Sequence, residues 1–394
     1  MRKKLKISDE NLLMIVLAFL SLSVGIWANY RQLWLENNGF DFTGISKIFS
    51  VALICSAIIS FIISLFSYKI KVKYVTLLSL VFRTLAMIVI FFYRDPFIIK
   101  TGILLGIMCE VIFSISFYPM LTFVTKTNES YKKKTLIEYF SKDIGIVSCG
   151  LLIGVAIGKY TFDYDTCLML AILTSFISSI LLFLYKSNEY HSKKKPSSLI
   201  SSLKRLLSNK INAIFLTNQM IIYIAYGIVF DLMMLILTNY INFEVSFASV
   251  FIIVCNMFGT IFSAILSKPS KKMSITISTL IKYGIRAFCY ILAYIFGSVP
   301  LLIVAVVTGY ITARILEDKV TGSFVQLIDK EDQFLYGNLR YFAVCIGEGI
   351  GAFLAGVLIS YSIRYLFLGA GIVTIVQTLV LIYLDKLKKG WFFR

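Results

Sequence analysis

Residues 139–157 read YFSKDIGIVSCGLLIGVAI, and residues 341–359 read YFAVCIGEGIGAFLAGVLI. The two stretches are identical at eight of nineteen positions at an offset of 202 residues, more than a shared apolar composition would give. Related segments in two halves of one chain are typical of transporter folds. The pair therefore predicts an internal repeat in which each stretch forms the same helix of its own half.

The sequence on both sides of the repeat is apolar along its length. Hydrophobic residues make up 58% of the 394 and charged residues only 15%, whereas a soluble domain is about 45–50% apolar. Apolar runs of about 20 residues recur, the length at which a helix crosses a bilayer. Because backbone groups in lipid must be satisfied within their own segment, these runs predict transmembrane helices.

The fold class predicted is an all-α membrane protein with twelve transmembrane helices in two pseudo-symmetric six-helix halves. The halves are residues 1–186 and 211–394, joined by a polar cytoplasmic linker at 187–210 that contains three consecutive lysines. Residues 201–208 of the linker have the pattern of a short amphipathic helix on the inner leaflet. The twelve predicted spans are 11–34, 42–66, 74–93, 98–123, 137–159, 164–185, 211–240, 246–267, 273–297, 299–317, 334–360 and 363–385.

The positive charges are distributed asymmetrically about these spans. Of the 39 lysine and arginine residues, 28 lie in connecting segments or span ends on one side, six (Arg31 among them) lie in those on the other side, and five lie further inside the spans. Loops rich in lysine and arginine stay in the cytoplasm. We therefore expect a multi-pass protein of the cytoplasmic (inner) membrane with both termini cytoplasmic. Its net charge of +18 then faces anionic lipid rather than nucleic acid.

Sequence motifs for catalysis or metal binding are missing. The seven cysteines lack metal-site spacing such as C-x-x-C. The chain has no G-x-x-x-x-G-K-[ST], H-E-x-x-H or G-x-S-x-G motif. We expect no metal, no cofactor and no enzymatic activity.

With six plus six spans, a basic central segment and the repeat, residues 8–388 resemble the major facilitator superfamily. The resemblance implies a substrate bound between two halves that rock to give alternating access. Spans one, four, seven and ten would line the cavity, and spans two, five, eight and eleven would form the interface. The family's loop motif after span two is degenerate, because residues 64–73 read SLFSYKIKVK with Tyr68 in place of the acid. The drug-antiporter motif keeps its glycine spacing at 150–158 but lacks its proline.

Ionisable residues within spans are functional candidates, because they are costly in a bilayer. Glu110, near the middle of span four, would couple protons or bind a substrate cation, or form a structural ion pair with Arg83 of span three at similar depth. Asp231, in the outer part of span seven, would bind substrate or a proton, or reach the outer interface. Glu348, among the glycines of span eleven, is a candidate interface or proton site.

Two further sets of residues are candidates. Charged residues near the inner ends of spans would gate the transporter or only pair locally. Three aromatic residues form a helical stripe at the outer end of span one, and would be an aromatic belt or would stack on substrate. The gating candidates are Lys69, Lys71, Lys142, Asp143 and Arg340, and the aromatic candidates are Trp27, Tyr30 and Trp34.

These observations favour a secondary active transporter that moves a small molecule by alternating access. Export of an amphipathic or cationic compound, driven by an ion gradient, is preferred because Glu110 and Asp231 would suit a cation. Nutrient uptake or lipid flipping on the same fold is one alternative, and a non-transporting membrane sensor or assembly protein is another. The expected partners are membrane lipid, a small-molecule substrate and protons, with no nucleic acid, and the expected state is a monomer.

Overall fold

The computed structural model consists of helices and short connections in the residues that it describes. The chain divides into two compact units. Unit one comprises Met1–Gly39 and Ile62–Lys195, and unit two comprises Phe40–Phe61 and Pro196–Arg394. The described residues are 9–28, 30–66, 71–127, 153, 156–157, 163–185, 196–270, 272–316, 320 and 333–391.

Unit one contains long apolar helices that meet around a core of leucine and phenylalanine. Leu17 of the first helix, Phe117 and Leu182 are among its members, each no more than 4% exposed. Hydroxyl groups join the helices: Ser23 Oγ donates to Ala171 O at 2.7 Å. Small polar side chains are common at such membrane-helix contacts. The described helices are α1 (Asp9–Ala28), α2 (Tyr30–Asn37), α4 (Val72–Phe92), α5 (Pro96–Thr127) and α6 (Tyr164–Leu184).

Helices α4 and α5 form a hairpin whose turn is set by local sequence. Pro96 begins α5, where a residue without an N–H loses no helical hydrogen bond. The Asp95 carboxylate accepts from the backbone N–H of Phe97 at 2.9 Å and of Ile98 at 3.2 Å. The hairpin therefore brings the middle of α4 beside the middle of α5, which matters for the site below.

Unit two includes most of α3 (Phe42–Phe66) together with the C-terminal part of the chain. Two of its helices change to π-helical turns, which often mark functional sites. Its other elements are α7 (Pro196–Ser208), α8 (Lys210–Val229), α9 (Met233–Leu235), π1 (Ile236–Tyr240), α10 (Val245–Ser270), α11 (Ile275–Thr279), π2 (Leu280–Gly284), α12 (Ile285–Phe296), α13 (Val299–Arg314), α14 (Gln333–Ile359) and α15 (Ile363–Trp391).

The glycines of α14 let two helices approach it closely. A Cβ at Gly351 would lie 2.3 Å from Ile224 O of α8, and one at Gly356 would lie 2.3 Å from Ser46 Oγ of α3. Ser46 Oγ also donates to Ala352 O at 2.7 Å. Backbones that touch through small residues are typical of helix packing in lipid. This packing explains why residues 40–61 group with unit two. The boundaries 1–186 and 211–394 predicted for the halves stay a prediction.

The described helices confirm an all-helical, multi-pass membrane protein. Ten of them are long and apolar enough to cross a bilayer, and Val299–Ala313 is a shorter apolar helix. Predicted span five lies outside the described residues except at 153, 156 and 157. The amphipathic helix of the linker starts at Pro196 rather than at 201. Its Leu206 is buried at 3% exposure.

Candidate substrate and proton sites

Unit one contains a buried cluster of one acid and two bases. Arg83 Nε of α4 donates to Glu110 Oε1 of α5 at 3.0 Å. Arg31 NH1 of α2 lies 3.6 Å from the other carboxylate oxygen of Glu110. The pairing of Arg83 with Glu110 predicted from the hairpin is confirmed. The second arginine at this carboxylate was not predicted.

A chain of two hydrogen bonds, through the hydroxyl group of Ser23, also holds Arg83 in place. Its NH1 donates to Ser23 Oγ at 2.8 Å, and that hydroxyl donates onward to Ala171 O of α6. The residue is only 1% exposed. Removing such a charge from water is costly unless opposite charge and hydrogen bonds compensate. Arg83 therefore joins α1, α4, α5 and α6 through a single guanidinium group.

A small cavity opens beside these charges. Both arginines and Glu110 line it together with Trp27 and Gly106. Its water-accessible volume is ≈ 10 Å³, which leaves room for about one water molecule. A Cβ at Gly106 would have nothing within 4 Å. A group larger than water can therefore enter only if one of the charged side chains moves.

The aromatic stripe of α1 and α2 is inside the protein. Trp27, Tyr30 and Trp34 are each 2% exposed, so the interpretation as a lipid-facing belt is wrong. Trp27 lines the cavity and packs edge-on against Trp34, with ring centroids 5.6 Å apart. Their role toward a substrate stays a prediction.

Trp34 belongs to a polar contact at the end of the stripe. Its Nε1 donates to Asp165 Oδ1 at 3.0 Å. Arg94 donates to the same oxygen at 2.6 Å and lies over the Trp34 ring at 5.0 Å from its centroid. The three side chains tie α2 to the start of α6 and to the connection between α4 and α5.

Unit two holds a different pair of ionisable residues. Helix α8 ends at Val229, and Asp231 lies in the turn before the three-residue helix α9. Its carboxyl group lies within hydrogen-bonding reach of the carboxyl group of Glu348 in α14. Because two ionised carboxylates have no donor between them, a hydrogen bond here would need a proton on one of the two groups. The pair differs in kind from the ion pair of unit one.

Close packing fixes the backbone near this pair. A Cβ at Gly227 would lie 2.3 Å from Glu348 O and 2.9 Å from Ala352 N. Only a residue without a side chain lets α8 and α14 come this close. The glycines around Glu348 therefore set the position from which its side chain reaches Asp231.

Two of the gating candidates lie in described residues. Arg340 Nε of α14 donates to Gln219 Oε1 of α8 at 3.0 Å. Lys71 precedes the first turn of α4 in extended conformation. Lys69, Lys142 and Asp143 lie outside the described residues. Gating by any of the five stays a prediction.

No group of three or more His, Cys, Asp or Glu side chains comes together among the described residues as a metal site would. The six cysteines in that part of the chain are not in disulfides.

Two features of the sites were not predicted from sequence. Arg31 follows the polar Asn29-Tyr30 pair and was assigned to an outer segment. It also lies four residues after Trp27, one helical turn further on the same face, which could have suggested its presence in the cavity. The break of the helix at Asp231 has no such signal, because the surrounding Phe230 and Leu232 are ordinary helix residues.

Comparisons with known proteins agree with the helical architecture. The sequence profile of the Major Facilitator Superfamily matches residues 12–317. The structure is similar to the nucleoside transporter NupG, with a TM-score of 0.74, 12% identity, and coverage of 95% of this chain and 98% of that one. It is also similar to a POT family transporter in complex with 5-aminolevulinic acid, with a TM-score of 0.73, 14% identity and 96% of both chains covered.

A third solved structure, the human organic anion transporter MFSD10, has a TM-score of 0.68 and 11% identity, with 94% of this chain and 98% of that one covered. No curated protein matches the sequence significantly. At such identities the structural likenesses establish the fold alone. The profile, however, spans well over half of the 394 residues, and this chain therefore belongs to the Major Facilitator Superfamily.

Proposed function

We propose that this protein is a proton-coupled secondary transporter of the cytoplasmic membrane, in which Asp231 and Glu348 carry the coupling proton. Membership of the superfamily supports transport of a small molecule without covalent chemistry. The observation that carries proton coupling is the close approach of two carboxyl groups at the helix break in unit two. A pair that needs one proton to hold together changes its contact when that proton leaves.

The position of the pair favours this role. Asp231 lies where α8 is interrupted, and membrane transporters often bind ions at interrupted helices. Loss of the shared proton would place two negative charges side by side at low dielectric. Their repulsion would drive Asp231 and its short segment away from α14, which converts a protonation event into a movement.

Glu110 is the second candidate for the proton. Its carboxylate contacts both Arg31 and Arg83. It would exchange a proton only if those arginines leave it during the transport cycle. The carboxyl pair of unit two needs no such separation, so we place coupling there first.

The direction and cargo are further proposals. Export of an amphipathic or cationic compound is supported by the acid pair in unit two, which would attract a cation once deprotonated. Uptake is the alternative, and the solved structures include a nucleoside transporter and a transporter bound to 5-aminolevulinic acid. The charge asymmetry of the sequence supports cytoplasmic termini.

The test is transport in reconstituted vesicles with Asp231→Asn and Glu348→Gln. A panel of labelled nucleosides, dipeptides and quaternary amines is offered with and without an imposed pH gradient. We expect wild type to accumulate a compound only with the gradient. Each variant should lose that accumulation, because an amide cannot release a proton, and should retain exchange of labelled for unlabelled compound.

The matched control is Glu244→Gln, which changes an exposed acid of the same unit and should accumulate like wild type. Infrared spectra of the purified protein provide a readout that needs no cargo. The band of a protonated carboxyl group should weaken as the pH is raised, and both pair variants should change this pH dependence. Full gradient-driven accumulation by both variants would refute the assignment of the proton.

A further inference from the structure

We propose that the cavity of unit one is an oxyanion-recognition site: Arg31 and Arg83 bind a carboxylate or phosphate group of the cargo, and Glu110 occupies the same guanidinium groups when cargo is absent. This inference rests on the proposed transport function and adds a substrate class to it. It replaces the cationic cargo considered above with an anionic one, and the charged and neutral probes below distinguish the two.

The charges of the cavity favour an anion. Two guanidinium groups and one carboxylate line it among the described residues. A cation that entered would meet two positive groups, and its attraction to Glu110 would compete with contacts already made. An oxyanion can instead replace the carboxylate of Glu110 in kind, because guanidinium groups bind carboxylate and phosphate in the same forked geometry.

The two arginines are held to different degrees. Arg83 makes hydrogen bonds to Glu110 and Ser23 at 3.0 and 2.8 Å. Arg31 contacts the carboxylate at 3.6 Å, longer than a charge-assisted hydrogen bond of about 2.7–2.9 Å. An incoming oxyanion would therefore compete more readily for Arg31 than for Arg83, because Glu110 is further from Arg31.

Glu110 has the freedom that displacement requires. Its side chain is 21% exposed, whereas that of Arg83 is 1% exposed. The cavity has room for about one water while Glu110 occupies the guanidinium groups, and Gly106 leaves the adjoining face open. Movement of the Glu110 carboxylate would thus let a carboxylate or phosphate group of the cargo, of similar size, take its place at the arginines.

The experiment measures binding to the purified full-length protein at low salt, without a gradient. The probes are benzoate, phenyl phosphate, benzamide and benzylammonium, which share a ring and differ in charge. Binding is followed by calorimetry and by the shift of the unfolding temperature. We expect benzoate or phenyl phosphate to bind, and the neutral and cationic probes not to bind. The anion that binds more tightly shows whether the site prefers a carboxylate or a phosphate group.

Variants separate the roles of the charges. Glu110→Gln should bind the anion roughly tenfold more tightly (about 1.4 kcal/mol), because the internal competitor for the guanidinium groups is lost. Arg31→Gln should weaken binding by at least roughly tenfold, because a charged contact to the anion is lost. Arg31→Lys should restore part of it, because the charge returns without the fork. Arg94→Gln is the matched control, since Arg94 is partly exposed and pairs with Asp165, and it should bind like wild type.

Several results would overturn the proposal. Binding of benzylammonium that disappears in Glu110→Gln would identify a cation site. Absence of anion binding in both wild type and folded Glu110→Gln would exclude an oxyanion site. If Glu110→Gln does not fold, the comparison of benzoate with benzylammonium on wild type and Arg31→Gln decides alone. Because the binding assay uses no pH gradient, a negative result would rule out the oxyanion site but would leave the proposal of proton-driven transport by the pair in unit two untouched.

Discussion

In unit one the carboxylate of Glu110 contacts two guanidinium groups, whereas in unit two the carboxyl group of Glu348 contacts another carboxyl group. The first arrangement is stabilised by opposite charge and opens onto a cavity. The second would be stabilised by a shared proton and lies between helices in direct backbone contact. In the functions proposed above, the first site responds to a competing anion and the second to proton concentration, so a single chain would sense both a cargo and an ion.

The largest effect expected from this comparison comes from removing one partner of the ion pair. Arg83→Met would leave Glu110 partly buried beside Arg31 at 3.6 Å, and would break the hydrogen bond to Ser23. Breaking a buried pair costs about 3–5 kcal/mol. We expect a large fall in unfolding temperature in detergent, measured by differential scanning fluorimetry.

The double variant Arg83→Met with Glu110→Met is the control for this prediction. It removes both charges and should recover much of the lost stability, because apolar replacement of a whole buried pair is often neutral. A double variant as unstable as the single one would mean that the contact with Ser23, rather than the ion pair, holds unit one together.

A smaller effect is expected where unit two depends on close packing. Gly351→Ala would place a Cβ 2.3 Å from Ile224 O, and overpacking of this kind costs about 1–3 kcal/mol. The matched change in unit one is Gly106→Ala, whose Cβ would meet nothing within 4 Å. It should leave thermal stability within about 1 kcal/mol of wild type. Equal destabilisation by both changes would remove this difference between the units.

The smallest effect concerns the start of α6 in unit one. Asp163 caps this helix, accepting from Asp165 N at 3.1 Å and from Thr166 N and Oγ1 at 3.1 and 2.8 Å. The hydrogen bond from the Thr166 hydroxyl, followed by that from the Asp165 backbone, lowers the pKa of the Asp163 carboxyl. Its contribution to stability is therefore complete above the unfolded pKa of about 4 and disappears as the pH falls through the lower folded value.

Asp163→Asn keeps the cap but cannot titrate, so it should show less loss of unfolding temperature than wild type below about pH 4. At neutral pH the two should differ by no more than about 1 kcal/mol, because this side chain is exposed. Identical acid sensitivity of the two proteins would mean that other carboxylates control the low-pH behaviour.

Sequence reasoning could predict the membrane helices and one of the site contacts for physical reasons. Apolar length identifies a span whatever its neighbours are. Arg83 and Glu110 could be paired because a hairpin places adjacent helices side by side and both charges fall near mid-span. Such local topology needs no knowledge of the rest of the fold.

The remaining contacts depend on geometry that no short pattern encodes. The sequence places Arg31 near the outer end of predicted span one, but α2 carries it inward to Glu110. Asp231 and Glu348 meet across two helices distant in sequence, at a helix break that contains neither glycine nor proline. The repeat that suggested two halves falls mostly on residues 139–157, outside the described chain apart from three positions, and stays a prediction.

The burial of Trp27 and Trp34 has an optical consequence. The chain contains three tryptophans, and the third, Trp391, ends the last helix. Two of the three indoles therefore emit from a single cluster, one of them in the wall that also carries Arg31 and Glu110. Their fluorescence is an intrinsic reporter of the electric field in that cavity. Substituting Trp391 would restrict tryptophan emission to unit one. Anion binding at the charge cluster could then be followed in unlabelled protein, with no tryptophan signal from unit two.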